Sequence, residues 1–301
     1  MKSPFFVPMT LLYLALVAPA QDKNLNSIIA PGTEVNLLAT GMKFTEGPVW
    51  LPENSMVVFS DIPNNMLMQW SEKDALLPYR KSEASNGNIL DLQGRLLTCQ
   101  HAGRNIIRTE PDGTITVLVD KFEEKKLNSP NDLAIKSDGS IWFTDPSYGL
   151  RGKPSELPGK WVFRLDVTTK KITVIYKDFD MPNGIAFSPD EKRVYIADTG
   201  KVGIIRAFDV LGDTIGDKPV FEIPIRCDGM CIDTKGNIYT TSKGGVHVFD
   251  KDGKKLGVIS IQEHPANVCF GGKDFDTLFI TARKSLYSVK TLARGALPAK
   301  K

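Results

Sequence analysis

The chain has 301 residues, 42% hydrophobic and 24% charged, ordinary values for a globular protein that exclude long disorder or a coiled coil as its main character. Its 38 Lys and Arg against 35 Asp and Glu leave a net charge of +3. The basic residues are scattered apart from pairs such as Lys125-Lys126 and Lys254-Lys255, so nucleic-acid binding has no support.

Residues 1–20 read as an export signal: Lys2, an apolar stretch from Met9 to Val17, then Ala18-Pro19-Ala20 before Gln21. That stretch is too short to cross a bilayer core of about 30 Å as a helix. A cleaved signal peptide is expected, followed by one domain over residues 21–301 that is secreted or periplasmic and off the membrane. An uncleaved N-terminal anchor is the alternative.

Thr33–Ala39 (TEVNLLA) alternates as a strand but precedes the first repeat. The repeats open on a polar residue and continue into an apolar run. Their starts are Glu46 (EGPVW), Asn88 (NILDL), Asn131 (NDLAI), Asn183 (NGIAF), Asp228 (DGMCI) and Asn267 (NVCF). Each leads through a turn to a second run: VVFSD ending at Asp61, LLTCQH at His101, IWFTD at Asp145, VYIAD at Asp198, IYTTS at Ser242 and LFITA at Ala282. Starts recur roughly every 40–50 residues, the period of propeller blades. Turn pairs such as Asp112-Gly113, Asp138-Gly139 and Asp252-Gly253 separate the runs, and pairs such as Trp161–Val167 and Lys171–Tyr176 supply outer strands.

The expected fold is therefore all-β, a six-bladed β-propeller with four-stranded blades. The last unit has only about three strands of its own, so Thr33–Ala39 is expected to complete it and to remove an exposed edge. Pro146–Lys160, rich in Gly and Pro, is a long insertion after Asp145 and should rim the channel mouth as a partial lid.

A ring that gathers Glu46, Asn131, Asn183 and Asp228 offers only hard oxygen donors. That set suits Ca²⁺, or failing that Mg²⁺ or Mn²⁺, better than Zn²⁺, although Zn²⁺ remains a candidate. The plain alternative is that Asn and Asp at blade starts bond their own backbone; four at matched places favour the ligand reading. Asn88 and Asn267 are assigned to the pocket wall or to turns. His101 shares a column with Asp61, Asp145 and Asp198, and is a candidate proton or hydrogen-bond donor to substrate or else a partner for a loop carbonyl. His264 is a lesser candidate, and the aspartates should mostly cap turns. Cys227 and Cys231, about 13 Å apart on an extended strand, cannot bridge, and no disulfide is assigned. No nucleophile elbow, Walker loop, dinucleotide fingerprint or HExxH helix is present.

The segments FTEGPVW, SPNDLAIKSDGSIWFTDPSYGL, MPNGIAFSPDEKRVYIADTG, CDGMCIDTKGNIYTT and NVCFGGKDFDTLFITA, in that order, resemble the regucalcin and gluconolactonase family of six-bladed propellers over about residues 41–289. The resemblance implies one divalent metal in the central channel and hydrolysis of sugar lactones. Its acidic ligand matches Glu46, its asparagines Asn131 and Asn183, and its aspartate Asp228. LLTCQHAGRNIIR resembles gluconolactonase-like members and implies rim roles for His101 and Arg104. A second metal of some relatives finds no match, since Cys231 stands where an aspartate is wanted. The implied reaction polarises the lactone carbonyl, with Asp228 as base or nucleophile and with His101, Arg104, Asn131 and Tyr148 on the substrate. Hydrolysis of organophosphates or aryl esters, or metal and sugar binding without catalysis, are the competing readings.

Overall fold

The computed structural model describes residues 23–296; the expected export signal lies outside them. Six antiparallel sheets form the blades of a β-propeller. In the first blade the strands run Thr45–Leu51, Met56–Asp61, Met66–Ser71 and Ala75–Lys81 from the axis outwards. The innermost strands of the next four blades are Ser85–Leu90, Leu133–Ile135, Pro182–Phe187 and Met230–Ile232. In the sixth blade Pro265–Gly271, Thr277–Ala282 and Ser285–Lys290 are joined by Val35–Thr40 on the outer edge, as the orphan N-terminal strand predicts. Fold class and closure are thus those expected.

The second strands are buried along nearly their whole length, as in Ile141–Asp145, because each blade is sandwiched between two others. Successive side chains feed opposite interfaces. Trp142 packs with Ile185 and Ile196 of the fourth blade, and Phe143 with Leu97 and Cys99 of the second. This is why those runs read as continuously apolar rather than alternating. Outer strands such as Ala75–Lys81 face water and lose that character. The apolar side chains gather into six cores, one at each blade boundary. Leu25 and Ile28, ahead of the first strand, fill the boundary between the fifth and sixth blades.

Turn chemistry fixes the blade ends. At Ser137-Asp138-Gly139 the Asp138 carboxylate accepts the Ser140 N–H at 2.8 Å, while Gly139 takes the left-handed φ of 83° that the turn requires. All four cysteines are free. Among the described residues no helix is long and apolar enough to cross a membrane.

Candidate active site

Backbone hydrogen bonds between neighbouring inner strands define a ring around the axis. Gly87 N–H donates to Asn131 O at 2.8 Å, Gly184 to Asp228 O at 2.9 Å and Gly229 to Ala266 O at 2.8 Å. Hydroxyls of the second strands clamp the same positions: Ser60 Oγ donates to Asn86 O at 2.7 Å, Thr144 Oγ1 to Asn183 O at 2.8 Å and Thr241 Oγ1 to Ala266 O at 2.6 Å. Equivalent places in the six blades are therefore Glu46, Asn86, Asn131, Asn183, Asp228 and Ala266. The expected equivalents Asn88 and Asn267 are displaced from this set. Asn88, two residues on, donates to Gly47 O at 2.8 Å and Ser60 Oγ at 3.0 Å and accepts from Thr98, so it belongs to the wall as expected.

One residue further along, a second layer carries glycine at Gly47, Gly87, Gly184 and Gly229. Asp132 and Asn267 complete it, and Asn267 Nδ2 donates to Asp132 Oδ2 at 3.3 Å. The glycines are required by close approach. A Cβ on Gly184 would lie 2.5 Å from Asp228 O, and one on Gly229 would lie 2.1 Å from the Asn267 side chain.

Glu46, Asn131 and Asn183 are buried; Asp228 is partly exposed. Asn86 Nδ2 donates to Asn131 Oδ1 at 2.7 Å, and Asn131 Nδ2 donates to Asn183 Oδ1 at 2.6 Å, so a chain of amides joins three blades. His101 Nε2 lies 3.0 Å from Asn86 Nδ2 and 3.1 Å from Asn131 Oδ1. Burial pushes the Glu46 carboxyl well above its ordinary range, and the Asp228 and Asp132 charges push it further; the Gly47 N–H and Asn267 amide oppose them. Asp228 is pushed up to about 6, chiefly by burial against the opposing Asn183 amide. Asp132 is pushed up to about 7 by burial, with a smaller push from Asp228. No Lys or Arg side chain enters these balances. His101 is pushed down to about 4 by burial and is neutral at neutral pH.

Over residues 44–284 the chain matches the family described as SMP-30/Gluconolactonase/LRE-like region. It belongs to that family. The gluconolactonase of Zymomonas mobilis is 29% identical over 307 residues, covering 90% of this chain and 85% of that one. Pentonolactonase XacC of Haloferax volcanii is 28% identical over 263 residues, covering 83% and 84%. A solved gluconolactonase of Xanthomonas campestris shares 32% identity at a TM-score of 0.84, covering 90% of this chain and 93% of that one.

Among the described residues no three His, Cys, Asp or Glu side chains form a ready metal cluster. The oxygen set of this gluconolactonase-family chain takes half its donors from amides, which such a grouping leaves out. Glu46 and Asp228, with the Asp228 charge raising the Glu46 carboxyl, amide oxygens beside them and no Lys or Arg among the described residues to neutralise them, fit a hard divalent ion.

The insertion between Asp145 and Trp161 crosses the mouth. A Cβ on Gly149 would lie 2.6 Å from the His101 Cβ and 2.7 Å from the Ser129 Cβ, so the segment lies directly on the second and third blades. Its Tyr148 hydroxyl bonds Thr199 Oγ1 of the fourth blade. Burial raises the Tyr148 phenol, Thr199 opposes it, and the Asp228 charge raises it again, which puts this tyrosine beside the ring.

Arg104, expected at the rim, holds the insertion that crosses the mouth. Its guanidinium donates to Leu127 O at 2.6 Å and Lys126 O at 3.3 Å and pairs with Glu156 at 3.0 Å. Its fork anchors the far end of the insertion. Asp145 accepts N–H groups of Asn128 and Ser129, each at 2.7 Å, and Asp198 those of Asp180 at 2.9 Å and Met181 at 2.8 Å. Both aspartates pin the loop that leads into their own blade, and Asp198 also caps the following turn, as expected, by accepting the Gly200 N–H at 2.9 Å. His264 is exposed on the loop before the sixth blade. Asn86 and Asp132 are site residues the sequence reading missed.

Below the second layer the channel widens into an apolar cavity of about 690 Å³ lined by residues such as Trp50, Ile135, Phe187 and Phe270, with Asp132 and Asn267 at its inner end.

Proposed function

We propose that this chain is a divalent-cation-dependent hydrolase of sugar lactones, of the aldonolactone type, acting at the ring of Glu46, Asn131, Asn183 and Asp228. The observation that carries the reading is the pair of carboxylates, Glu46 and Asp228, sunk at the axis beside two amides with no neutralising side chain. Both named relatives act on lactones, which favours this substrate class over phosphoesters. The same four residues would hold the ion, most suitably Ca²⁺, with Mg²⁺ or Mn²⁺ as substitutes. Bound there, a divalent ion supplies Lewis acidity to the lactone carbonyl and neutralises the charge that develops on its oxygen.

The side chains divide the remaining work. Asp228, the more exposed of the two ring carboxylates, accepts the proton of the attacking water as its oxygen bonds the carbonyl carbon. It returns that proton to the ring oxygen as the C–O bond breaks, and a hydroxy acid leaves. Direct attack by Asp228 is the variant route, with water then cleaving the acyl-enzyme. Neutral His101 steadies the Asn86–Asn131 amide pair, and the Tyr148 hydroxyl oxygen accepts a hydrogen bond from one of the substrate's own hydroxyls. Glu46, more deeply buried, contributes charge rather than proton transfer. The leader motif suggests that the mature enzyme works in the periplasm or outside the cell, and N-terminal sequencing beginning near Gln21 is the expected result.

Aldonolactones and aryl phosphates assayed side by side, with and without chelator, test the reading. Chelator-sensitive turnover of lactones is expected. Turnover of aryl phosphates alone, or lactone turnover indifferent to chelator, overturns it.

A further inference from the structure

The mouth holds a relay of contacts that the reaction described above leaves unused. Thr199 follows the second strand of the fourth blade and is only partly buried. Its N–H donates to Met181 O at 3.0 Å and its hydroxyl to the same oxygen at 3.2 Å. With its one proton spent there, Thr199 Oγ1 is left to accept from the Tyr148 hydroxyl. From the other side the Arg226 guanidinium donates to the Thr199 carbonyl. Arg226 itself is fixed through its own carbonyl, which accepts from Ser242 Oγ at 2.8 Å. The third, fourth and fifth blades are thus tied together at one threonine. The insertion also reaches Met181 directly, since Ser147 Oγ and Lys160 Nζ approach its sulfur at 3.6 Å and 3.5 Å.

We propose that Thr199 is a positioning residue that latches Tyr148 over the ring and so sets affinity for the lactone, a role that rests on the lactonase reading. Tyr148 is 40% exposed for its large ring, and no core holds it in place. Its hydroxyl is fixed by Thr199, and Thr199 in turn by the Met181 carbonyl of its own blade and the Arg226 guanidinium ahead of the fifth. A phenol held this way loses little freedom when substrate arrives; one released from Thr199 must be ordered at that moment. Thr199 touches no reacting atom, so it acts on binding rather than on proton transfer.

Thr199→Val keeps the volume and removes the hydroxyl. The expected result on an aldonolactone is a KM raised about 3- to 10-fold, the value of one neutral hydrogen bond, with kcat within about twofold. Thr199→Ser restores the parent KM, and in a Tyr148→Phe background Thr199→Val adds nothing further. Unchanged KM, equal defects in Thr199→Val and Thr199→Ser, or additive effects with Tyr148→Phe overturn the latch. Hydrogen exchange of the segment 146–151 gives a readout independent of substrate, and it should quicken in Thr199→Val. If the parent hydrolyses no lactone, the lactonase reading fails by itself and the exchange experiment alone decides; unchanged exchange then overturns the latch.

Discussion

Asp132 and Asn267 come from blades on opposite sides of the ring, 135 residues apart, and meet at the axis at 3.3 Å. Each stands where the other four blades have glycine. Six side chains cannot share one axis, so four blades give up theirs and two opposed ones bridge the gap. The bridge floors the carboxylate ring and caps the apolar cavity beneath it.

Gly229→Ala tests how full that axis is. The added Cβ would lie 2.1 Å from the Asn267 side chain, whose oxygen is also held by the Val268 N–H at 2.8 Å and so resists displacement. A loss of about 1–3 kcal/mol is expected, read from the midpoint of chemical denaturation. Gly216→Ala, where the nearest atom is 3.8 Å away, should stay within about 0.5 kcal/mol.

Glu46→Gln tests the cation. Calcium at about 100 times its dissociation constant should stabilise the parent by about 2.7 kcal/mol, visible as a rise in Tm that chelator reverses. The substitution removes a charge and keeps one oxygen, so that rise should shrink sharply. An undiminished calcium response would move the ion away from Glu46.

Asp228→Asn keeps an oxygen at the ring and removes the proton acceptor. At saturating metal, turnover of a lactone should fall by about 10²–10⁴. Comparable activity would remove Asp228 from the mechanism.

His101 sets a pH dependence whose sign follows from its depressed pKa of about 4 against an ordinary 6.5. Between those values the unfolded chain binds the proton and the folded one does not. Stability from this residue is therefore complete above pH 6.5 and is lost as pH falls towards 4, by up to about 3 kcal/mol. The raised carboxyls of Glu46, Asp132 and Asp228 work in the opposite direction. The measurement is accordingly a difference: parent minus His101→Gln, by denaturation in chelator from pH 4 to 7. A flat difference would show that His101 is not held neutral.

The blade count, the closing strand and the insertion over the mouth were legible because periodicity and turn residues are local properties. The ring was legible where the motif allowed one reading, at Glu46, Asn131, Asn183 and Asp228. It slipped in two blades for different reasons. In SNGNIL two asparagines stand two apart, and a shift of two keeps the same face, so only the register break between Ser85 and Asn88 decides for Asn86. In the sixth blade Ala266 holds the ring place and offers no polar signal, which makes Asn267 the obvious and displaced choice. Asp132 was hidden by its neighbour. Strand alternation sends adjacent residues to opposite faces, but Asn131 and Asp132 precede the strand that begins at Leu133, and both reach the axis. The partner of Arg104 was not legible either, since Glu156 lies 52 residues on and only the folded chain brings the two together.

The pairing of Val35–Thr40 with Ser285–Lys290 joins segments about as far apart in sequence as this chain allows. The residues of five blades precede Ser285 in the chain, and until that strand is made Val35–Thr40 has no sheet partner. Closure of the ring therefore waits on Ser285–Lys290: nothing seals until that strand arrives to receive Val35–Thr40. Such long-range closure makes for slow folding and a nascent chain prone to pairing with its neighbours, so the time between synthesis and closure is the vulnerable period in the life of this protein.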